Sequence, residues 1–505
     1  MNLLKSLFSL SFMTLISRVL GFFRDLTIAH IFGVSIYTDA FFIAFKIPNL
    51  LRRLFFEGAF SQSFVPILIY YKSNKKIKHT KDFIASLSGL TIILLSIIIL
   101  LGIIFSNYLI ALSAPGFNKS FQKFKISCTL LEIMFPYILL VSLSSLYSSI
   151  LNSWNYFAIP ALSPSILNIT IIICAIFFND FFEPSILILS WSVIIGGFIQ
   201  LIYQFPYLSK INMLITPKLN FKNIGLIKVI KKIGPSLIGS SANQISLIFN
   251  TIFSSLLNSG SISWMYYADR LIEFPIGILG VSLSTILFTS LSKSYSKNRL
   301  KEYKNLLNRG FRIALILSLP TSIVLFVLAK PLIIILFQYG KFTDFDVLMT
   351  QKALELYSFG LVAFILVKIL SAAFYASQEI NIPTRISLFS LFITQILNPC
   401  LIFYFQHAGL ALSFSISGWI NFFLLYWKLY QKKLINFNFN ELIFIFRLFI
   451  AIFSMTFVLI FMLYFIPLYS IHSFFIKIIC VFTILFVTGI IYLISLYFLG
   501  ISFFK

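Results

Sequence analysis

The stretch FIASLSGLTIILLSIIILLGIIF, residues Phe83–Phe105, carries no charge and is closed by Asp82 on one side and Ser106-Asn107 on the other. About 20 apolar residues make a helix long enough to cross the hydrocarbon core of a bilayer. Outward from this stretch, windows of the same kind recur along the whole chain, ended by charge or by Pro, Gly and Asn clusters. They number about fourteen, at 6–32, 36–70, 83–105, 128–153, 158–178, 185–207, 233–257, 263–292, 313–329, 353–376, 386–404, 408–427, 448–466 and 478–502. Composition agrees: of 505 residues, 59% are hydrophobic and 11% charged, with a mean hydropathy of +0.98. A soluble chain of this size needs about a quarter of its residues charged, so the fold class predicted is an all-α polytopic membrane protein.

The first span reads as an uncleaved helix rather than a signal peptide, because Arg18, Arg24 and Asp25 interrupt it and no small-residue cleavage site follows. Cys128, Cys174, Cys400 and Cys480 lie far apart and offer neither a disulfide framework nor zinc spacing. The four histidines, His30, His79, His407 and His472, are scattered and read as interfacial residues rather than ligands.

The net charge of +24 has a topological explanation. With a cytoplasmic N-terminus, 23 Lys and Arg residues fall in inner loops and 7, among them Lys119, Lys123 and Lys125, in outer ones. That bias places both termini in the cytoplasm and requires an even number of spans. Loops stay within about 25 residues, too short for a soluble domain. The basic excess therefore reports orientation, and no nucleic-acid partner is expected.

A faint repeat links Ala44, Lys46, Phe64 and Tyr71 to Ala268, Arg270, Phe288 and Tyr295 at one offset of 224 residues. It predicts two similar lobes of six spans each, with the last two spans appended. Transporters built from paired repeats hold substrate between the halves.

Seven bases stay inside spans: Arg18, Arg24, Lys46, Arg52, Arg53, Arg270 and Lys368. Each costs about 2.5 to 3.5 kcal/mol at a helix centre on insertion scales, so it needs a wet cavity or a partner. Local pairing is available to some: Glu57 stands at i,i+4 from Arg53, and Glu273 at i,i+3 from Arg270. Arg18 and Arg52 have no acid at those spacings. The set predicts a cationic cavity built from the first, second and eighth spans for an anionic ligand, guanidinium being suited to bidentate grip on phosphate. Asp269 and Glu273 share a face of the eighth span, and Pro275, Gly277 and Gly280 mark a bend there.

These blocks resemble a known family. SRVLGFFRD at Ser17–Asp25, TDAFFIAFKIPNLLRRLFFEGAFSQSFVP at Thr38–Pro66, SWMYYADRLIEFPIGILGVSLSTILF at Ser263–Phe288 and FQYGKFTDFD at Phe337–Asp346 closely resemble the MurJ (MviN) family, lipid II flippases of the multidrug/oligosaccharidyl-lipid/polysaccharide (MOP) exporter superfamily. The likeness runs in order over essentially the whole chain. It implies fourteen inner-membrane helices in two lobes around a central cavity, at 1–210 and 211–435, with a C-terminal pair at 436–505 forming a groove for the lipid tail. It implies alternating-access transport of undecaprenyl-pyrophosphate-linked disaccharide pentapeptide from the cytoplasmic to the periplasmic face, for peptidoglycan synthesis. Arg18, Arg24, Arg52 and Arg270 match the family's substrate-binding arginines; Asp39, Asn49, Glu57, Ser263 and Glu273, with Asp269 beside them, take cavity-lining or gating roles. The implied partners are lipid II, membrane lipids and other cell-wall synthesis proteins, with no catalytic residue, metal or cofactor.

One variant of the family builds a sodium site on helices seven, eleven and twelve partly from acids. The matching spans here hold no acid and offer only Asn243, Asn250, Thr394, Asn398 and Asn421, so a site of that kind is not expected. Export of another lipid-linked oligosaccharide would use the same arginines, whereas a drug cation would meet more bases than acids. A membrane enzyme acting on a lipid-linked sugar would rest on Asp344-Phe-Asp346 as a metal motif, but acids, histidines and nucleophiles converge at no single depth.

Overall fold

In a computed structural model the chain is helical, and residues 3–53, 61–220, 223–230, 248–435, 439–466 and 473–501 are described. Among these, eleven helices are long and apolar enough to cross a membrane, and they coincide with the third to sixth and eighth to fourteenth expected spans. Of the other three, the first is one continuous helix, Leu3–Phe32, whose apolar sequence is interrupted by Arg18, Arg24 and Asp25. The second is seen as two shorter helices, Ile36–Arg52 and Ser61–Asn74, and most of the seventh lies outside the described residues. The protein is a polytopic membrane protein. Contacts divide it into two units, Met1–Ser263 with Gly340–Phe342, and Trp264–Tyr339 with Thr343–Lys505.

The first unit begins with α1 (Leu3–Phe32), which packs on α8 (Ala158–Phe177). Gly33, at φ 62°, lets the chain leave α1 in a left-handed conformation that a side chain would resist, and α2 (Ile36–Arg52) starts at a capping box. There Ser35 Oγ accepts the Thr38 N–H at 3.3 Å while Thr38 Oγ1 accepts the Ser35 N–H at 2.8 Å. Next come α3 (Ser61–Asn74), α4 (Ile77–Ile104), α5 (Ser106–Ser113), α6 (Phe121–Met134), α7 (Tyr137–Ser153), α9 (Leu187–Ile202) and α10 (Phe205–Lys210). Packing inside this unit relies on polar seams as much as on apolar fit. Gln204 Nε2 donates to Ser144 Oγ at 2.6 Å and Ser163 Oγ at 3.3 Å, joining α7, α8 and the turn before α10. Such bonds hold helices together where lipid supplies no hydrophobic drive.

In the second unit α11 (Ser261–Pro275), three residues of which belong to the first unit, runs into a π-helical segment, Ile276–Val281, and then α12 (Ser282–Ser296). The expected bend therefore takes the form of a widened turn. Further on lie α13 (Leu300–Val327), α14 (Ala329–Phe337), α15 (Asp344–Ala376), α16 (Asn381–Phe405), α17 (His407–Gln431), α18 (Phe439–Phe465) and α19 (Phe474–Phe498). Helix α15 is buried nearly all round, as an apolar helix at the centre of a bundle must be. Helix α17 is stitched to it: Ser415 Oγ donates to the Leu356 carbonyl at 2.7 Å and Trp419 Nε1 to that of Phe359 at 3.0 Å. Buried His407, at the start of α17, places Nε2 2.8 Å from the Met349 carbonyl, so it is a packed residue of this seam. Gly360 permits the approach, since a Cβ there would strike Ser415.

Helices α18 and α19 pack on α13 and α14 through two apolar clusters, one centred on Ile316, Leu448, Ile452 and Tyr492, the other on Leu328, Leu459 and Ile484. A bidentate pair, Arg312 to Glu441 at 2.6 and 3.2 Å, anchors α18 to α13 with the guanidinium over the Phe444 ring. The outer faces of α18 and α19 expose Phe453, Phe457, Phe482 and Phe486, as helices facing lipid should.

Candidate functional site

On α1 two expected arginines stand in opposite environments. Arg18 is exposed and makes no hydrogen bond or ion pair among the described residues. Arg24 is buried, its Nε and Nη2 donating to Asp25 Oδ1 at 3.0 and 2.6 Å and its Nη1 to Asn168 Oδ1 of α8 at 3.1 Å. Asn168 in turn donates Nδ2 to the Ser17 carbonyl at 3.4 Å, so one amide ties the guanidinium to the backbone of its own helix about two turns back. The fully buried Asp25 carboxylate neutralises the charge, which a buried guanidinium requires.

On α2, the Arg52 Nε donates to Asn49 Oδ1 at 3.4 Å, and Asn49 Nδ2 to the Phe45 carbonyl at 3.1 Å. Glu57 lies outside the described residues, as does Asn243. At the other end of the helix Asp39 is fully buried and accepts four hydrogen bonds. Oδ2 takes Lys123 Nζ at 2.8 Å and the Gly260 N–H at 2.7 Å; Oδ1 takes the Ser263 N–H at 3.0 Å and its hydroxyl at 2.7 Å. Gly260 and Ser263 are at the start of α11, so Asp39 caps the N-terminus of a helix 224 residues away, the offset of the sequence repeat. A carboxylate satisfies amide donors left open at a helix start and complements its dipole.

In the second unit the local pairing of Arg270 is realised. Its Nη1 donates to Glu273 Oε2 at 2.8 Å and its Nη2 to the Tyr266 hydroxyl at 3.1 Å, with the guanidinium 5.2 Å from the Tyr266 ring centre. Arg270 is half-buried, while Asp269 and Glu273 are exposed. The Asp344-Phe-Asp346 segment opens α15. Asp346 completes the capping box of α15, accepting the Thr343 N–H and hydroxyl at 2.9 and 2.7 Å on Oδ2 and Trp264 Nε1 at 2.9 Å on Oδ1. Asp344 accepts from Gln338. Of the residues weighed for sodium, Thr394 Oγ1 donates to the Ser390 carbonyl at 3.1 Å and Asn398 Nδ2 to Gln395 Oε1 at 3.3 Å.

The sequence model of the lipid II flippase MurJ family matches residues 28–480. The chain belongs to the MurJ lipid II flippase family. It is 71% identical over 501 residues, 99% of this chain and 98% of the other, to the probable lipid II flippase MurJ of Buchnera aphidicola subsp. Schizaphis graminum (strain Sg). It is similar to the solved structure of a lipid II flippase MurJ in an inward closed conformation, with a TM-score of 0.79, 28% identity and coverage of 96% of this chain and 97% of that one. In fold alone it is also similar to an inward-facing multidrug resistance MATE transporter of the MOP superfamily, at a TM-score of 0.67, 13% identity and coverage of 83% of this chain and 95% of that one.

Within this MurJ-family chain the structure brings Asp39 to Ser263, Arg24 to Asp25 and Asn168, Arg52 to Asn49, and Arg270 to Glu273 and Tyr266. Two participants escape a reading by sequence. Asn168 is an unremarkable amide in an apolar span 144 residues from Arg24. Lys123 counts there as one outer-loop base among several, although in a chain whose bases gather on the inner side each outer one calls for its own reason.

Proposed function

We propose that this chain moves lipid II, the undecaprenyl-pyrophosphate-linked disaccharide pentapeptide, from the cytoplasmic to the periplasmic leaflet of the bacterial inner membrane by alternating access, supplying peptidoglycan synthesis. Both termini lie in the cytoplasm. Two lobes, 1–210 and 211–435, alternate around the substrate, and the pair at 436–505 receives its lipid tail. The observation that carries this reading is the match to the MurJ family over residues 28–480.

The arginines supply the affinity. Arg18, exposed and without a protein partner among the described residues, is the guanidinium most ready for pyrophosphate. Arg24 holds the Asp25 carboxylate and Arg270 that of Glu273. A pyrophosphate offers more charge and more acceptor oxygens than one carboxylate, so substrate exchanges with these internal partners, and on release the carboxylates return. The acids thus keep the empty site from holding bare charge in the membrane. Asp39 with Ser263 forms a gate, and Asn49, Glu57 and Asp269 line the path. Nothing in this sequence of events makes or breaks a covalent bond.

Depletion of the protein in growing cells tests the reading: lipid II should accumulate on the cytoplasmic face and be restored by the wild-type chain but not by Arg18→Ala or Arg270→Ala at equal protein level. Unchanged sidedness on depletion overturns it.

A further inference from the structure

We propose that Lys123 is a positioning residue of the gate, holding the Asp39 carboxylate seated on the N-terminus of α11; this rests on the gating role given above to Asp39 and Ser263. The segment entering α6 carries three lysines, Lys119, Lys123 and Lys125. Lys119 and Lys125 are exposed, whereas Lys123 is buried at 5% exposure. Its ammonium lies 2.8 Å from Asp39 Oδ2, 3.5 Å from Ser259 Oγ and 4.3 Å from the centre of the Phe117 ring.

Its position along α6 makes the arrangement telling. Lys123 is in the first turn, where its own N–H is capped by Ser120 Oγ at 3.5 Å. A cation is disfavoured at that end of a helix dipole, and a lysine with a free choice would point into water as its two neighbours do. The inward turn is explained by Asp39, which lies in the first turn of α2 and accepts from the first turn of α11. One carboxylate therefore serves two helix starts and one ammonium. Without the Lys123 side chain the carboxylate would keep backbone and hydroxyl donors but no cation in a fully buried place; without the Asp39 carboxylate a buried ammonium would lose its counter-charge. Removing either partner alone is worse than removing both.

The prediction is read in full-length protein in cells, with the four native cysteines changed to serine and a reporter cysteine placed at buried Ser261 by Ser261→Cys. A membrane-impermeant maleimide added outside measures how often the start of α11 comes loose. Lys123→Met should raise labelling at least fivefold and abolish complementation at normal protein level, while Lys123→Arg keeps both near wild type. Adding Asp39→Asn to Lys123→Met should bring labelling back at least twofold, a reversal that a merely space-filling lysine would not produce. Wild-type labelling in Lys123→Met, or labelling that rises further in the double variant, overturns the proposal. Labelling that follows the expected pattern beside intact transport in Asp39→Asn would instead remove the gating role of Asp39 and leave the hold of Lys123 on it standing.

Discussion

The hydroxyl of Tyr492 in α19 donates at 2.7 Å to the carbonyl of Ile316 in α13, the acceptor four residues before Pro320. Proline has no N–H, so this carbonyl lacks its helical donor, and the tyrosine supplies one from another helix. Tyr492→Phe should lower stability by about 1 kcal/mol, within the range of side-chain bonds between membrane helices. Thermal unfolding in detergent checks it, and the loss should shrink in a Pro320→Ala background, where the helix regains its own donor.

Asn168 should matter to transport beyond its packing. Asn168→Leu removes a hydrogen bond to a charged group, worth about 1.5 to 3 kcal/mol, while the pair of Arg24 with Asp25 stays in place. The expected outcome is transport reduced roughly tenfold at normal protein level, with Asn168→Gln intermediate. Lipid II sidedness in a depletion background measures it; full activity in Asn168→Leu would show that the guanidinium is positioned without the Asn168 bond.

The two acids of the Asp344-Phe-Asp346 segment should behave differently. Asp346→Asn disturbs a capping box and an indole bond, costing about 1 to 2 kcal/mol of stability, and should lower the unfolding temperature with function retained below it. Asp344→Asn, where among the described residues the carboxylate accepts from Gln338, should leave both unchanged. Loss of function in Asp344→Asn at normal stability would revive a catalytic reading of the segment.

Glu441→Gln should loosen α18 from α13 by about 1 kcal/mol or less, since the pair with Arg312 is partly exposed. Thermal unfolding in detergent should come correspondingly earlier, and Arg312→Lys should resemble it because a lysine cannot make the bidentate grip.

Hydropathy made the membrane fold legible, because a long uncharged run such as Phe83–Phe105 has no other stable home. In the second expected span, where charge and proline sit inside an apolar stretch, the described helices are Ile36–Arg52 and Ser61–Asn74. Within the site, partners close in sequence were readable: Glu273 lies one turn from Arg270. Arg24 and Asp25 were not, since adjacent helical residues point apart and only the length of the arginine lets it curl back. Asn168, Lys123 and the Gly260 amide reach their partners across the bundle, and no local spacing encodes that.

The widened turn at Ile276–Val281 sets an angular phase for everything after it. A π turn takes in one residue more than an α turn, and each residue advances a helix by about 100°. Leu287 and Leu291, which α12 buries, are therefore aimed about a quarter-turn away from where an unbroken α-helix begun at Ser261 would send them. Substitutions between Pro275 and Ser282 that keep the residue count preserve that aim, whereas deleting a single residue there, whatever its identity, would swing the apolar face of α12 off its neighbours. Length, more than composition, is what this segment cannot give up.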